Sequence, residues 1–519
     1  MLAGEILRLA AARFPDKSAL IEGERQLTYR EFDRAANRAA NALIRLGLAK
    51  GSRIAIVSPN SIEFAILYFG AARAGVIAAM PSTRSTAQDL AYMLDKVGAE
   101  ALFFSGALAA TIGAARKSAA TLKHAIALGP ADGAAGPSIS FESFMAQGDD
   151  APPDVPPDVP LDLDDPLAMT FTGGTTGFPK GVLVTHRARY TTVVTCNVEF
   201  GLDERDIVLV ATPMFHAAGL FVWFKPAVML GCTCVLMGAW DVGRFIDIVE
   251  RHAITGTLLV PTQLADLVGD ARFSAERLRT LRHINYAGAP MPVALFDRLR
   301  AALPDAAFTE NYGQSETGPM TIRRTFHPYD KRTSVGRPAH NVETRVVDAR
   351  GRDVPPGVVG EIVTRGAHLL KEYWGEPAQT AALFRSGDGW LWTGDLGMRD
   401  ADGFISLVDR SKDMIIAGGE NIYPAEIENA LYQHEAVAEC AVFGIPDDRW
   451  GEVPAAHVVL HGGVRIGEAA LIAFLETRIA RHKRPRFVKF VEHLPKTAVG
   501  KIQKNLIREP YWRGRERKI

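Results

Sequence analysis

Short apolar runs alternate with segments of helical periodicity over most of the chain before residue 400, and this alternation most narrows the folds open to it. Residues 53–58 (RIAIVS) predict a buried strand, and Gly75 is expected to end the helix that follows. Asn60 and Glu63 have the spacing of a capping box at the start of that helix. The same order recurs around residues 206–211, 231–237 and 257–260. The pattern predicts a layered α/β fold.

At 519 residues the chain is longer than one hydrophobic core usually supports. Residues 148–166, rich in Pro and Asp, predict a surface loop, whereas residues 409–413 (DRSKD) separate two apolar runs. The roughly 110 residues after that charged run have patterns of their own and the size of a small domain. We therefore expect a large N-terminal domain of layered α/β subdomains, residues 1–410, and a smaller α+β C-terminal domain, residues 411–519.

Composition excludes several classes of protein. The 59 basic side chains balance 59 acidic ones, so nothing indicates a nucleic-acid or anionic-membrane partner. Cys196, Cys232, Cys234 and Cys440 are too irregularly spaced for a zinc site or a disulfide framework, and they fit a reducing compartment. The N-terminus lacks the pattern of a signal peptide, and the most apolar stretch, residues 65–80, is interrupted by Arg73. We therefore expect a cytoplasmic protein without an integral membrane segment.

The strongest local signal is TGGTTGFPKG, residues 172–181, which follows a strand-like run. Glycines let backbone N–H groups surround an anion, threonine hydroxyls add donors, and Lys180 adds a positive charge, so the segment predicts a phosphate-binding loop. The alternative is a flexible surface turn. It is not a Walker loop, because Pro179 precedes Lys180 and Gly181 follows it.

With this loop the sequence resembles the adenylate-forming superfamily, which includes acyl-CoA synthetases, aryl-CoA ligases, luciferases and the adenylation domains of peptide synthetases. The loop is similar to that family's pyrophosphate-binding signature, although Gly173 stands where many members have a second serine. Further segments match in order and spacing: TPMFHAAG (212–219), YAGAPM (286–291), TENYGQSETG (309–318), WLWTGDL (390–396) and LPKTAVGKIQK (494–504).

The resemblance implies an ATP site. Within TENYGQSETG, the ring of Tyr312 suits a purine, the hydroxyl of Ser315 suits the α-phosphate, and the carboxylate of Glu316 suits Mg²⁺. By resemblance, Asp395 and Arg410 hold the ribose. Without the resemblance, TENYGQSETG would be interpreted as the solvated start of a helix, and Asp395 and Arg410 as surface charges. The implied ATP- and AMP-binding residues are Thr172, Gly173, Gly174, Thr175, Thr176, Gly177, Lys180, Gly288, Ala289, Pro290, Asn311, Tyr312, Gly313, Ser315, Asp395, Arg410 and Lys501.

The resemblance also implies an acyl pocket and a mobile C-terminal domain. His216 would line and gate the acyl pocket, although an isolated histidine in an apolar stretch is more often a core residue. Lys412 would be the hinge of the C-terminal domain, and Lys501, in the pattern PKTxxGK, its catalytic lysine, with Glu316, Lys180 and His216 as further catalytic residues. The expected acyl-pocket residues are Phe215, His216, Leu220, Trp223, Gly288 and Met320, and the expected coenzyme A contacts are Gly418, Gly419 and Glu420.

These expectations combine into an AMP-forming carboxylic acid:coenzyme A ligase that uses ATP, Mg²⁺ and coenzyme A and forms an acyl-adenylate. The mostly apolar acyl-pocket residues favour a hydrophobic monocarboxylic acid, fatty or aromatic. The expected partners are small molecules; nucleic acid is excluded and a homo-oligomer is left open. Because few residues follow Lys501, free coenzyme A is preferred to an attached carrier domain.

Other functions remain open at this point. A separate carrier-protein thiol, or oxygen as in luciferases, would keep the adenylation step and change the acceptor. A non-catalytic nucleotide-binding protein would be expected to have lost Glu316, Lys501 or a ribose-binding group, all of which are present. A P-loop NTPase that releases ADP is disfavoured by the order Pro179-Lys180-Gly181.

Overall fold

The computed structural model describes residues 1–153, 160–172, 179–410, 413–418, 420–496 and 502–513. Its mixed α/β architecture has a large N-terminal domain and a smaller C-terminal domain, as predicted. Helices in the described residues are Ala3–Arg13, Tyr29–Arg45, Ile62–Ala74, Ala87–Val97, Ala109–Arg116, Phe141–Met145, His186–Phe200, Lys225–Leu230, Val242–His252, Pro261–Gly269, Val293–Ala302, Pro377–Leu383, Pro424–Leu431, Glu468–Leu475 and Lys504–Trp512.

Two large sheets make up most of the N-terminal domain. The described strands of the first, in spatial order, are Arg337–Pro338, Gly318–Arg323, Ala307–Gln314, His283–Ala287, Gly256–Leu259, Ile207–Val210, Thr233–Leu236, Ser18–Glu22 and Arg25–Thr28. Those of the second are Glu372–Tyr373, Lys180–Thr185, Pro166–Thr172, Ile77–Met80, Arg53–Val57, Ala101–Ser105, His124–Leu128 and Ile139–Ser140. Both sheets are parallel in their interior and antiparallel at one or both ends, so the predicted strand–helix alternation is confirmed.

A third sheet in the described residues is antiparallel, with strands Glu343–Val347, Val359–Arg365, Leu391–Arg399 and Ile405–Arg410. The C-terminal sheet consists of Glu420–Ile422, Ile415–Ala417, Gly451–Leu460, Val437–Asp447 and Phe487–Phe490. The C-terminal sheet has a hydrophobic cluster of its own, which runs from Ile415 to Val488. The boundary predicted after residue 410 falls between these two sheets, and residues 411 and 412 lie outside the described residues.

Helix Ile62–Ala74 shows how local sequence sets an element. Gly75 ends the helix in the left-handed conformation, with φ of 71°, as predicted. The predicted cap was wrong, because Ser61, not Asn60, is the N-cap residue and accepts a hydrogen bond from the Phe64 N–H. Asn60 is buried instead and donates to the carbonyls of Val210, Thr212 and Met237. Its side chain therefore ties the second sheet to the first.

The largest hydrophobic cluster lies between the two large sheets. It joins helices Tyr29–Arg45 and Ile62–Ala74 to residues of both sheets, such as Leu20 and Ile54. All four cysteines are free and buried. Among the described residues, no helix has both the length and the apolar character needed to cross a membrane.

Candidate active site

The predicted nucleotide-binding segments meet at the carboxyl ends of parallel strands. Strands His283–Ala287 and Ala307–Gln314 are parallel neighbours, with Ala287 opposite Asn311. The Asn311 side chain donates to the Tyr286 carbonyl over 3.3 Å, which fixes the two strand ends together. Gly288 follows with φ of 91°, a conformation that favours glycine. Ligands of α/β sheets bind at such strand ends, so this edge is the candidate cleft.

Asp395 is the centre of one polar network in this cleft. Its Oδ2 accepts hydrogen bonds from the Tyr312 hydroxyl and the Gln314 amide, each at 2.8 Å, and its Oδ1 lies 3.1 Å from Arg410 Nε. Asp395 stands directly opposite Arg410 in an antiparallel strand pair and is only 6% exposed. Burial and the nearby Asp395 carboxylate raise the pKa of Tyr312, which keeps its hydroxyl a donor. Three separate donors therefore hold one carboxylate in a fixed orientation.

Glu316 is the centre of a second network. Its Oε1 accepts a hydrogen bond from the Tyr373 hydroxyl at 2.7 Å, and Lys180 Nζ lies 5.1 Å from the centre of the Tyr373 ring. Strand pairing brings these groups together, because Tyr373 is opposite Val182 and Thr172 is opposite Lys180. Burial, followed by the charge of Glu316, raises the pKa of the Tyr373 phenol. The two ends of the phosphate-binding loop thus lie beside Glu316.

The two networks lie close enough for their charges to act on the same residue, Arg410. The negative charge of Asp395 raises the pKa of Arg410, and Tyr312 and Glu316 add to the same effect. Since Glu316 follows the strand that carries Tyr312, a single strand and the turn after it contribute to both networks. Thr172, Lys180, Glu316, Asp395 and Arg410 therefore do not face separate surfaces.

The segment that carries His216 is fixed at both ends. The Thr212 hydroxyl donates to the Leu258 carbonyl at 2.7 Å, and Met214 N–H donates to the Asn60 side chain, also at 2.7 Å. His216 is half-buried, and its Nδ1 accepts a hydrogen bond from the Ala218 N–H at 3.3 Å. A π-helix, Ala218–Phe224, comes next. Short π-helical segments occur often at functional sites, which agrees with a functional role for the segment around His216.

The predicted acyl-pocket residues are not equally placed. Phe215 is 7% exposed, whereas Leu220, Trp223 and Met320 have no exposed surface. The Trp223 indole packs near Gly256, and its N–H donates to the Leu209 carbonyl at 3.0 Å. Leu220, Trp223 and Met320 therefore occupy core positions, and we leave all three out of the proposed acyl pocket.

Three residues of the site were not found from the sequence. Gln314 lies inside TENYGQSETG but had no assigned role, and Tyr373 lies in KEYWG, a segment that was not singled out. Arg189, on helix His186–Phe200, donates from Nη2 to the Ser315 carbonyl at 2.7 Å. An arginine in a polar helix segment gives no sign in the sequence that it is buried. Gln314 could have been found, because it lies within a motif that was already assigned to the site.

Part of the predicted site lies outside the described residues: Gly173, Gly174, Thr175, Thr176, Gly177, Lys412, Gly419 and Lys501. Gly418 is described, with φ of 61° and a hydrogen bond from its N–H to the Trp450 carbonyl at 2.7 Å. Glu420 is exposed in the strand that follows. Within the described ranges, no group of three or more His, Cys, Asp or Glu residues could hold a metal ion.

Two family models match the chain. One, described as AMP-binding enzyme, matches residues 7–374, and a second, described as AMP-binding enzyme C-terminal domain, matches residues 426–501. The first model alone spans well over half of the chain. The part of the chain that it matches includes the phosphate-binding loop and Glu316. The match to the second model ends at Lys501.

Individual relatives agree with the family models. A feruloyl-CoA synthase from Amycolatopsis sp is 37% identical over 499 residues, which is 96% of each chain. The fatty acid--[acyl-carrier-protein] ligase ScoC of Streptomyces coeruleorubidus is 34% identical and covers 97% of this chain and 95% of its own. Among solved structures, the anthranilate CoA ligase AuaEII in complex with anthranoyl-AMP superposes with a TM-score of 0.90 at 27% identity, covering 98% of this chain and 97% of its own.

Proposed function

The chain belongs to the AMP-binding enzyme family and is an ATP-dependent, AMP-forming acid–CoA ligase; from this premise we propose that ATP binds around Asp395 and Glu316 and that the acid is a hydrophobic monocarboxylate, fatty or aromatic. The observation that carries the proposal is the convergence on Asp395 of Tyr312, Gln314 and Arg410. Such a preorganised carboxylate suits a ligand with two adjacent hydroxyl groups.

In the proposed complex, Asp395 accepts hydrogen bonds from the ribose hydroxyls and Arg410 stands beside it. The support is electrostatic and geometric: Arg410 stays charged beside Asp395, and both lie at the carboxyl end of strand Ala307–Gln314 with Tyr312. Gly288, Ala289 and Pro290 follow the neighbouring strand and form the proposed wall for adenine. Asn311 and Gly313 complete that wall from the next strand.

The phosphates are assigned to the glycine-rich loop. Its described ends, Thr172 and Lys180, pair across two antiparallel strands, and Lys180 lies beside the ring of Tyr373. Glu316 is the proposed Mg²⁺ ligand. One of its oxygens is engaged by Tyr373, and carboxylate oxygens are the donors that Mg²⁺ prefers. A single protein carboxylate fits a metal held largely by substrate phosphates. When bound, Mg²⁺ neutralises charge on the phosphates.

In the first step the substrate carboxylate attacks the α-phosphorus of ATP, the bond to the bridging oxygen breaks, and pyrophosphate leaves with that electron pair. The protein contributes position and charge rather than a nucleophile. Ser315 is proposed to donate to the α-phosphate, and Arg189 holds the Ser315 carbonyl from below. Lys501, from the C-terminal domain, is proposed to stabilise the oxygens of the reacting carboxylate and phosphate.

In the second step the coenzyme A thiolate attacks the acyl carbon, and AMP leaves. Rotation of the C-terminal domain about Lys412 is proposed to replace Lys501 with the segment that contains Gly418, Gly419 and Glu420. Gly418 has positive φ and lies against Trp450, which suits a narrow passage close to backbone. His216, half-buried at the other wall, is the proposed gate between the acyl and thiol sides.

The proposal for a hydrophobic acid is supported by the apolar character of the wall. Phe215 lies beside His216 and is 7% exposed, and Gly288 leaves room at the strand end. The printed names of the relatives, for ferulate, fatty acids and anthranilate, also favour acids with an apolar body. A cytoplasmic location and a homo-oligomer stay predictions.

The second candidate acceptor is a carrier-protein thiol, which the name of one relative favours. The two acceptors differ in one assay. Purified protein with ATP, Mg²⁺ and an acid is supplied with free coenzyme A or with a phosphopantetheinylated carrier protein, and the thioester is measured. We expect the acyl-CoA product; thioester on the carrier protein alone would move the assignment to the second candidate.

A panel of straight-chain and aromatic acids tests the reaction and the substrate class together. The expected result is AMP release that requires acid and rises with coenzyme A, with the highest kcat/KM for acids with an apolar body. A ribose-site variant, Asp395→Asn, is the matched negative control. Release of ADP, or AMP release that is independent of acid, would contradict the proposal.

A further inference from the structure

A second group of buried polar side chains lies next to the π-helix, and two of its members, Lys225 and Tyr68, have no role in the proposed reaction. It consists of Lys225, Arg189 and Tyr68, which we name the Lys225 cluster, and all three are 0% exposed. They gather around the ring of Phe221: Lys225 Nζ is 5.8 Å and Arg189 Cζ 4.9 Å from its centre, and the Tyr68 ring centre is 6.1 Å away. Lys225 Nζ is also 5.8 Å from the Tyr68 ring centre.

Each side chain of this cluster has one unsatisfied donor. Lys225 Nζ, Tyr68 Oη and Arg189 Nε are buried without a hydrogen-bond partner among the described residues. The other two terminal nitrogens of Arg189 donate to Thr192 and to the Ser315 carbonyl, and the charge of the Glu316 carboxylate acts on its guanidinium. Contacts with aromatic faces recover only about 0.5–2 kcal/mol for a cation. The buried ammonium group of Lys225 is therefore far from compensated.

The cluster is directly connected to the active site. Arg189 holds the Ser315 carbonyl at 2.7 Å, and a side chain added at Gly318 would come within 3.2 Å of its Nη1. Phe221 belongs to the π-helix that begins two residues after His216. A charge bound in the cluster would thus act on the turn that carries Glu316 and on the wall that carries His216.

We propose that the Lys225 cluster is a binding site for one small anion, a halide ion. An ammonium, a phenol and a guanidinium N–H are all donors, and a halide accepts from donors of each kind. A water molecule would accept hydrogen bonds but leave the positive charge of Lys225 uncancelled, whereas an anion does both. The proposed halide site does not depend on the proposed function.

The protonation of Lys225 agrees with this geometry. Burial, followed by the charge of Arg189, lowers the pKa of its ammonium group to about 7. An anion beside Nζ favours the charged form and acts against both effects. Occupation of the site therefore stabilises the folded protein and keeps Lys225 protonated.

Halide binding to the Lys225 cluster is tested by thermal unfolding of the full-length protein. Melting temperatures are measured in sodium chloride, sodium bromide and sodium gluconate at equal ionic strength. We expect the halides to raise Tm by about 2 °C or more relative to gluconate. Tyr68→Phe should reduce this rise and Lys225→Met should abolish it, whereas Lys117→Met, on an exposed lysine, should keep it.

The position of the anion is tested in crystals soaked in bromide. An anomalous peak within hydrogen-bond distance of Lys225 Nζ is expected. A peak elsewhere, together with a halide effect on Tm that persists in Lys225→Met, would overturn the halide assignment.

A flat Tm across the three salts would overturn the proposed site. If no acid gives AMP, the proposed function fails, and the halide measurements still decide whether the Lys225 cluster binds an anion.

Discussion

The Asp395 network and the Lys225 cluster both bury charge in the same domain, but they do so in opposite ways. Around Asp395 a carboxylate meets a guanidinium from one strand and a phenol and an amide from another. In the Lys225 cluster two cations share an aromatic ring, and the ammonium group of Lys225 lacks a hydrogen-bond partner among the described residues. A buried carboxylate that is already paired is preorganised for a neutral ligand such as ribose. A buried cation without a partner is expected to bind an anion.

The largest effect on activity is expected from a variant of Lys501, which belongs to neither of these two groups. Lys501→Ala should lower the rate of adenylation about a hundredfold or more, since a preorganised donor to reacting oxygens contributes ~3 kcal/mol. The measurement is acid-dependent exchange of pyrophosphate into ATP. Lys489→Ala, on an exposed lysine of the same domain, is the control and should keep full exchange. Unchanged exchange in Lys501→Ala would remove this lysine from the mechanism.

The paired side of the comparison is tested by Asp395→Asn. The change leaves the shape intact but removes the acceptor charge between Arg410 and the proposed ribose, so we expect a fall in pyrophosphate exchange of about thirtyfold. Asp353→Asn, which breaks a surface ion pair with Arg345 in the same part of the fold, should have no effect on exchange. Equal rates in the two variants would place ATP elsewhere.

Separation of the two half-reactions is expected from Lys412→Pro. Proline fixes φ at the proposed hinge, so thioester formation should fall about tenfold or more while pyrophosphate exchange is largely kept. Both rates are measured on the same preparation. An equal loss of both would show that residue 412 is not a hinge.

The unpaired side of the comparison predicts a gain of stability. In halide-free buffer Lys225→Met should stabilise the protein by about 1–4 kcal/mol, because a buried unpaired ammonium is replaced by an apolar chain of similar volume. The effect is measured by chemical unfolding. A loss of stability in Lys225→Met would show that the ammonium group is compensated after all.

The same variant predicts a pH dependence. The folded-state pKa of Lys225 is about 7 and its unfolded value about 10.5, so the unfolded chain binds the extra proton between these values. Stability of the native protein should therefore rise as the pH increases from about 7 to 10.5. Other groups coupled to Lys225, namely Arg189, His186 and the amino group of Met1, are kept in Lys225→Met, so the difference between the two curves isolates the lysine.

Much of the fold was predictable because its signals are local. Alternating strands and helices, the helix end at Gly75 and the strands beside the phosphate-binding loop all follow from neighbouring residues. The cap at Ser61 was missed by one position, since Asn60 and Ser61 are both good N-cap residues and only burial of Asn60 distinguishes them.

The contacts within the site were less predictable, since they join distant residues. Tyr312 and Asp395 are 83 positions apart, and Glu316 and Tyr373 are 57 apart. A motif names the groups that could bind a ligand but not the partners that orient them. Trp223 is an example of the opposite error. An aromatic residue close to a motif was taken for part of the pocket wall, but its hydrogen bond to the Leu209 carbonyl places it in the core.

The most direct test is a crystal structure with a non-hydrolysable acyl-adenylate analogue. The account predicts the ribose hydroxyls on the carboxylate of Asp395, the adenine beside Gly288 and the acyl group toward Phe215 and His216. An analogue bound away from Asp395, with Tyr312 and Arg410 still paired to that carboxylate and no ligand contact in the cleft, would contradict it.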